Sequence, residues 1–193
     1  MWVKIFWVAP RRIFWWLVTV FAPGRFVHFA LIYPAKIVDD GPMTTTHGGA
    51  NAWADLGIVN VGAVPFDPST IQVSVAIGNN NYPGPASVGA DHEGPPYQLN
   101  PGEVAGHCCG QTLAAIRQAI PEATVMSPHP YFGLTTRIGN AGGPTGVAFA
   151  DTSGDLNYTV RLGSASVKFT TVYVNGHGPA QHLTETPGFV YSS

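Results

Sequence analysis

The stretch Ile13–Tyr33, IFWWLVTVFAPGRFVHFALIY, decides how this chain is interpreted. Nearly all of its side chains are apolar, and an α-helix of this length rises about 31 Å, close to the hydrocarbon thickness of a bilayer. Arg25 lies far enough along such a helix for its charge to reach the outer interface. The stretch therefore predicts one transmembrane helix over residues 13–35. Tyr33-Pro34 marks its end, because a proline disfavours a helical conformation in the residue before it.

The charges around this stretch predict its orientation. Residues 1–37 contain five of the nine Lys and Arg residues and no Asp or Glu. Positive charge favours the cytoplasmic side, so we expect a cytoplasmic amphipathic segment over residues 1–12 and a periplasmic chain beyond the helix. The predicted location is the cell inner membrane, with a single pass through the bilayer. A cleaved signal peptide is the alternative interpretation of the same order of basic and apolar residues.

Three motifs in this region resemble the α polypeptide of purple-bacterial light-harvesting antennas. They are Lys4-Ile5-Phe6, Pro10-Arg11-Arg12-Ile13-Phe14 and Gly24-Arg25-Phe26-Val27-His28-Phe29-Ala30-Leu31-Ile32. Members of that family cross the membrane once and bind bacteriochlorophyll through a histidine near the outer end of the helix. The resemblance implies that His28 ligates the magnesium of a bacteriochlorophyll. It also implies a carotenoid, and other antenna or reaction-centre subunits as partners.

The residues around His28 suit a pigment site if the stretch is helical. A neutral imidazole nitrogen can fill the open axial position of a chlorin magnesium. Gly24 would lie on the same helical face, where its missing side chain lets a flat macrocycle approach. Trp15 and Phe29 are predicted to pack against the pigment. In the alternative, the histidine hydrogen-bonds a neighbouring helix, and the chain is a pigment-free, single-pass accessory subunit that stabilises a membrane complex.

The remainder of the chain is predicted to be a linker over residues 36–50 and a periplasmic β-rich domain over residues 51–193. The segment Leu156–Leu162 alternates strictly between apolar and polar residues, which is typical of a strand with one solvated face. The motif Asn100-Pro101-Gly102-Glu103 has the form of a helix N-terminus, and Pro121 would end that helix. The expected fold is therefore a single transmembrane α-helix followed by a mainly-β, sandwich-like domain with one inserted helix.

Chemical motifs in this second part are weak. In His107-Cys108-Cys109-Gly110 the adjacent cysteines have the wrong spacing to chelate one metal ion together, so a buried structural role is favoured. Neither a nucleophile elbow nor a phosphate-binding loop is present, and no basic run indicates a nucleic-acid partner. We therefore predict a protein that is not an enzyme. A membrane-anchored hydrolase or metal-binding protein is the alternative, based on the scattered histidines His47, His92, His107, His129, His177 and His182.

Overall fold

The described part of the chain is mainly β with one short α-helix. The computed structural model describes residues 27–38, 49–77, 86–91, 97–106, 108–128, 132–139, 154–174 and 186–193. Its strands, in chain order, are β1 (Phe29–Pro34), β2 (Lys36–Val38), β3 (Gly49–Asp55), β4 (Gly57–Asn60), β5 (Gln72–Ile77), β6 (Ala86–Asp91), β7 (Glu103–Ala105), β8 (Val125–Met126), β9 (Gly133–Gly139), β10 (Gly154–Leu162), β11 (Ala165–Val174) and β12 (Pro187–Tyr191). The helix α1 is Leu113–Ala119.

The strands form three sheets. The first has the order β12-β1-β4-β7-β8, the second β2-β11-β10-β5 and the third β3-β9-β6. Strand β1 is antiparallel to both of its neighbours, with Ala30 opposite Tyr191 of β12 and opposite Val59 of β4. At Ala35 the chain leaves the first sheet, and β2 then pairs in parallel with β11 of the second sheet. The first two sheets therefore share a continuous chain segment.

Strand β1 is buried on both faces. Phe29 and Leu31 point into a large core between the first two sheets, where they meet side chains of β10 and β11. Ala30 and Ile32 point the other way, into a second core that α1 covers. All four of these residues are at most 1% exposed. A strand with two buried faces has no polar positions to alternate with its apolar ones, so it reads as a continuous apolar run.

The predicted transmembrane helix over residues 13–35 is wrong where the structure describes it. Residues 29–34 are the strand β1, hydrogen-bonded between β12 and β4. A short apolar run of this kind cannot be assigned to helix or strand from periodicity alone, because both of its faces are apolar. No helix among the described residues combines the length and apolarity needed to span a bilayer. For the described residues, the expected fold of a membrane helix plus a β domain is therefore corrected to a mainly-β structure with one short helix.

The second sheet follows the alternation of its sequence. In β10, Leu156, Tyr158 and Val160 are buried, whereas Asn157 and Arg161 are exposed. Aromatic rings join this sheet to the first one, because the ring of Phe169 stacks on Tyr158 at 4.9 Å and on Tyr33 of β1 at 4.5 Å. The turn between β10 and β11 contains Gly163, whose positive φ of 60° a glycine adopts without steric cost. The predicted strand over residues 156–162 therefore lies within β10.

The helix predicted from Asn100 onward begins much later. Glu103 does reach back to the amide of Asn100, at 2.8 Å, as in a capping box, but the bond closes a turn that leads into β7. Gly102 takes a φ of +81°, which a right-handed helix cannot contain. The helix α1 begins instead after Thr112, whose hydroxyl accepts a hydrogen bond from the amide of Ala115 at 3.3 Å.

Candidate functional site

Of the residues predicted to bind a pigment, the structure describes His28 and Phe29, and it places them before and at the start of a strand and not on a helix. His28 is exposed and directly precedes β1, and its carbonyl oxygen accepts hydrogen bonds from the amides of Val61 and Gly62 at 3.1 and 3.0 Å. Phe29 is fully buried in the large core, so its ring is closed to a ligand in this fold. Gly24 and Trp15 lie outside the described residues. Ligation of bacteriochlorophyll magnesium by His28, and a neighbouring carotenoid, stay predictions.

The histidines of the alternative metal-binding interpretation also lie outside the described residues. Among the residues that the structure does describe, no group of three His, Cys, Asp or Glu side chains is close enough to hold a metal ion. Two other features have geometry worth examining. One is a pair of loops around a buried asparagine, and the other is the cysteine pair.

Asn60 holds two loops together from a fully buried position at the end of β4. Its side-chain nitrogen donates to the carbonyl oxygens of Val64 at 2.9 Å and Leu99 at 2.8 Å. Its side-chain oxygen accepts from the amide of Gly62 at 3.0 Å, and its carbonyl accepts from the amide of Gly102 at 2.8 Å. A single side chain thus fixes segments that are far apart in sequence. We call residues 61–66 and 98–102 the loop pair.

The loop pair is also joined directly and carries no charged residue. The backbones of Phe66 and Leu99 exchange two hydrogen bonds, of 3.2 and 2.7 Å. The carboxylates that flank the loops are used in turns, because Asp67 accepts from the amide of Ser69 and Glu103 from that of Asn100. The exposed members of the loop pair are all uncharged: Ala63, Pro65, Gln98, Asn100 and Pro101. The result is a rigid, neutral surface at one end of the first sheet.

Tyr97 lies directly before the second loop and is 7% exposed. Burial, together with the nearby carboxylates of Asp67 and Glu103, raises the pKa of its hydroxyl to about 12. The phenol therefore stays neutral through the physiological range. The residue packs in the large core beside the second loop and does not offer an ionised group to a ligand.

Cys108 and Cys109 are joined by a disulfide between adjacent residues. They lie in a 3-10 turn, Cys108–Gly110, and not on the long helix predicted from sequence. Cys108 is 3% exposed and packs in the second core, while Cys109 is partly exposed. The buried structural position predicted for Cys108 matches this packing, but both sulfurs are committed to each other and not to a metal ion. Adjacency of the two cysteines is the sequence signal for this bond.

The backbone at this pair is unusual. Cys109 has a φ of +60°, the positive value that non-glycine residues rarely adopt because the Cβ atom crowds the backbone. Such a conformation costs about 1–3 kcal/mol and persists where the surroundings enforce it. The turn leads through Gln111, whose amide donates to the carbonyl of Cys108 at 3.3 Å, directly to α1. The disulfide-bonded pair is therefore connected by only two residues, Gln111 and Thr112, to α1, the helix that covers one face of the first sheet.

Sequence reasoning missed the role of Asn60, although one signal was available. It is a polar residue inside the apolar run Leu56–Val64, followed two positions later by a glycine, and asparagine side chains commonly bond the amide two residues onward. The described structure thus offers two candidate sites, a rigid neutral loop pair and a vicinal disulfide. Comparison with known proteins supplies no relative, since the scan of family models, the search of curated proteins and the search of solved structures each find no match.

Proposed function

We propose that the chain is a structural subunit that uses its mainly-β fold to dock on other proteins and performs no catalysis of its own. The observation that carries this proposal is the loop pair held by Asn60. Its two segments are fixed to each other by the buried bond from Asn60 to Leu99 and by the two backbone bonds between Phe66 and Leu99, so little conformational freedom is lost when a partner binds. This function corresponds to the accessory-subunit alternative, without the membrane helix over residues 27–35.

The chemistry of the loop pair fits a protein partner. The centres of protein interfaces are depleted of charged residues, and the loop pair has none. Its exposed prolines, Pro65 and Pro101, have a fixed φ and so present their surfaces with little entropy to lose. A rigid, neutral surface such as the loop pair is suited to contact with another folded protein.

The polar side chains of the interior support a structural role. The amide of Asn60 is bonded to backbone groups of the loops, and the buried hydroxyl of Thr171 donates to the carbonyl of Pro34 at 2.7 Å. These groups hold one segment of backbone against another. The disulfide adds support for the predicted periplasmic location of the domain, since disulfides persist in oxidising compartments.

Site-specific photo-crosslinking in the source organism tests this proposal. A photoreactive phenylalanine analogue would replace Gln98 on the loop pair, with exposed glutamines elsewhere as matched controls: Gln72 on β5 and Gln118 on α1. We expect a discrete protein adduct from position 98 and none from the two controls. An absence of adducts at position 98, or equal labelling at all three positions, would contradict docking through the loop pair.

The light-harvesting prediction is tested separately, by the near-infrared absorption of the complex purified from the same organism. If the chain is an antenna subunit, the purified complex contains bacteriochlorophyll, and part of its near-infrared absorption disappears in a His28→Leu variant. That result would assign the chain to the antenna class. An unchanged spectrum, together with a crosslink at position 98, would leave the docking function as the better assignment.

A further inference from the structure

The bond between Cys108 and Cys109 cannot act as an ordinary disulfide staple. The two residues are adjacent, and their Cα atoms are 3.8 Å apart, which is the span of one trans peptide. A disulfide stabilises a fold mainly by closing a loop in the unfolded chain, and the effect grows with the number of residues in the loop. Here no residue lies between the cysteines. What the pair can still change is its covalent state, joined or open.

The two cysteines differ in exposure. Cys108 is 3% exposed and lies among apolar side chains of β1, β4 and α1, including Ile32, Val59 and Ile116. Cys109 is partly exposed at the surface of the turn. Thiol–disulfide exchange requires that an attacking thiolate reach one sulfur in line with the bond it breaks. Of the two residues Cys109 is the more exposed, so its sulfur is the more accessible point of attack in the folded protein.

We propose that Cys108–Cys109 is a reversible thiol–disulfide exchange site, reduced by a protein dithiol of the Cys-x-x-Cys class that attacks the sulfur of Cys109. The first thiolate of the reductant bonds to that sulfur, the bond between the cysteines breaks, and its electron pair leaves on the sulfur of Cys108, which takes up a proton. The second thiol of the reductant then displaces Cys109, forms the reductant's own disulfide and leaves a second protein thiol. Two electrons and two protons pass to the pair.

Reduction of the disulfide loosens α1, the helix that covers one face of the first sheet. The eight-membered ring that contains both sulfurs includes the backbone of Cys109, and it is one of the restraints that hold this residue at a positive φ. When the ring opens, that restraint is lost, and Cys109 can relax toward negative φ. The turn directly precedes Thr112 and α1, so the relaxation is transmitted to the helix that covers Ile32 and Val59.

A trapping experiment on the full chain tests the point of attack. The oxidised protein would be incubated with a reduced thioredoxin-class protein whose second active-site cysteine is serine, then treated with N-ethylmaleimide and digested under acid. We expect a mixed disulfide on Cys109 with the maleimide on Cys108. A mixed disulfide on Cys108 would overturn the assignment of the attacked sulfur. If no adduct forms, and the unmodified dithiol protein also leaves the pair oxidised, the exchange site itself is refuted.

Hydrogen exchange tests the structural consequence. After reduction, the amides of α1 should exchange about tenfold faster than in the oxidised protein, because the restraint on the preceding turn is gone. The amides of β10 and β11 should not change, and their protection also shows that the protein remains folded. A Cys108→Ser/Cys109→Ser variant, which has no disulfide, should match the reduced protein. Equal exchange of α1 in the oxidised and reduced forms would overturn the proposed loosening.

Discussion

The side-chain nitrogen of Asn60 lies 2.8 Å from the carbonyl oxygen of Leu99, in a hydrogen bond that is buried from solvent. The two residues are 39 positions apart in the chain. The same side chain also bonds Val64 and Gly62 within its own loop, so it sets the position of one loop relative to the other. The rigidity on which the docking proposal rests is therefore concentrated in one amide group.

Replacing Asn60 with alanine should lower the free energy of unfolding by about 2–4 kcal/mol. The change removes three side-chain hydrogen bonds, to the carbonyls of Val64 and Leu99 and from the amide of Gly62. Leu99 keeps the bond from the amide of Phe66 and Gly62 the bond to the carbonyl of His28, so the loss comes from the three bonds, each worth about 0.5–1.5 kcal/mol. Urea denaturation of the full chain measures the effect. Asn157→Ala is the matched control, because Asn157 is exposed and accepts from the hydroxyl of Thr170 at 2.8 Å. We expect its effect to stay within about 0.5 kcal/mol, and equal losses in the two variants would contradict the role of Asn60.

Two glycines with positive φ should differ sharply in their tolerance of a side chain. At Gly106, with φ of +89°, a Cβ atom would collide with the carbonyl oxygen of Leu56 and lie 3.2 Å from the Cα of Gly57. At Gly110, with φ of +64°, nothing lies within 4 Å of that position. Gly110→Ala should therefore lose only about 1–2 kcal/mol from the backbone conformation, whereas Gly106→Ala should lose about 3–5 kcal/mol. Thermal unfolding under oxidising conditions compares them, and a smaller loss at Gly106 would be inconsistent with this packing.

Neighbouring residues of β1 should be equally sensitive to truncation. Leu31 is buried toward one core and Ile32 toward the other, so each alanine variant should be destabilised by about 2–5 kcal/mol. Val172 on β11 is 41% exposed, and its alanine variant serves as the control with an expected loss below about 1 kcal/mol. Chemical denaturation gives all three values. If only one of the two β1 variants is destabilised, the strand has one buried face and not two.

Stability should fall at high pH because of Tyr97. Its pKa is raised from 10.0 to about 12 in the folded protein, so its phenol keeps its proton there after the unfolded chain has lost it. The contribution is complete below pH 10 and is lost as the pH rises from about 10 to about 12, by roughly 1–2 kcal/mol. Urea titrations across this range measure the slope. Tyr97→Phe should show a shallower decline than the wild type, and equal slopes in the two proteins would argue against burial of the Tyr97 phenol.

Local patterns in the sequence predict some strands well. The run Leu156–Leu162 alternates because one face of β10 is buried and the other is exposed, and that rule needs no information from the rest of the chain. The run at β1 fails for the complementary reason. Its second buried face is created by α1 and by the turn at Cys108, which lie far along the chain. Periodicity within six residues cannot report a partner that distant.

The turn at Asn100 shows that a correct local interaction can belong to a different structure. The bond from the amide of Asn100 to the carboxylate of Glu103 forms as the motif predicts, yet the positive φ of Gly102 directs the chain into β7.

For the candidate sites, the sequence shows that two cysteines are adjacent and that an asparagine interrupts an apolar run. Neither observation reveals that Cys108 is buried under α1 or that Asn60 reaches Leu99, because both depend on tertiary packing.

The pairing of β1 with β12 has a consequence for the order in which the molecule is made. The amide of Phe29 donates to the hydroxyl of Ser192, 163 positions later in the chain. At about 5–20 residues per second, a ribosome needs about 10–30 s to supply that partner after it has made β1. Throughout that interval the most apolar strand of the first sheet has an open edge, and such edges pair readily with other chains. Strand β12 therefore closes this edge of the first sheet only after the other described strands have been made.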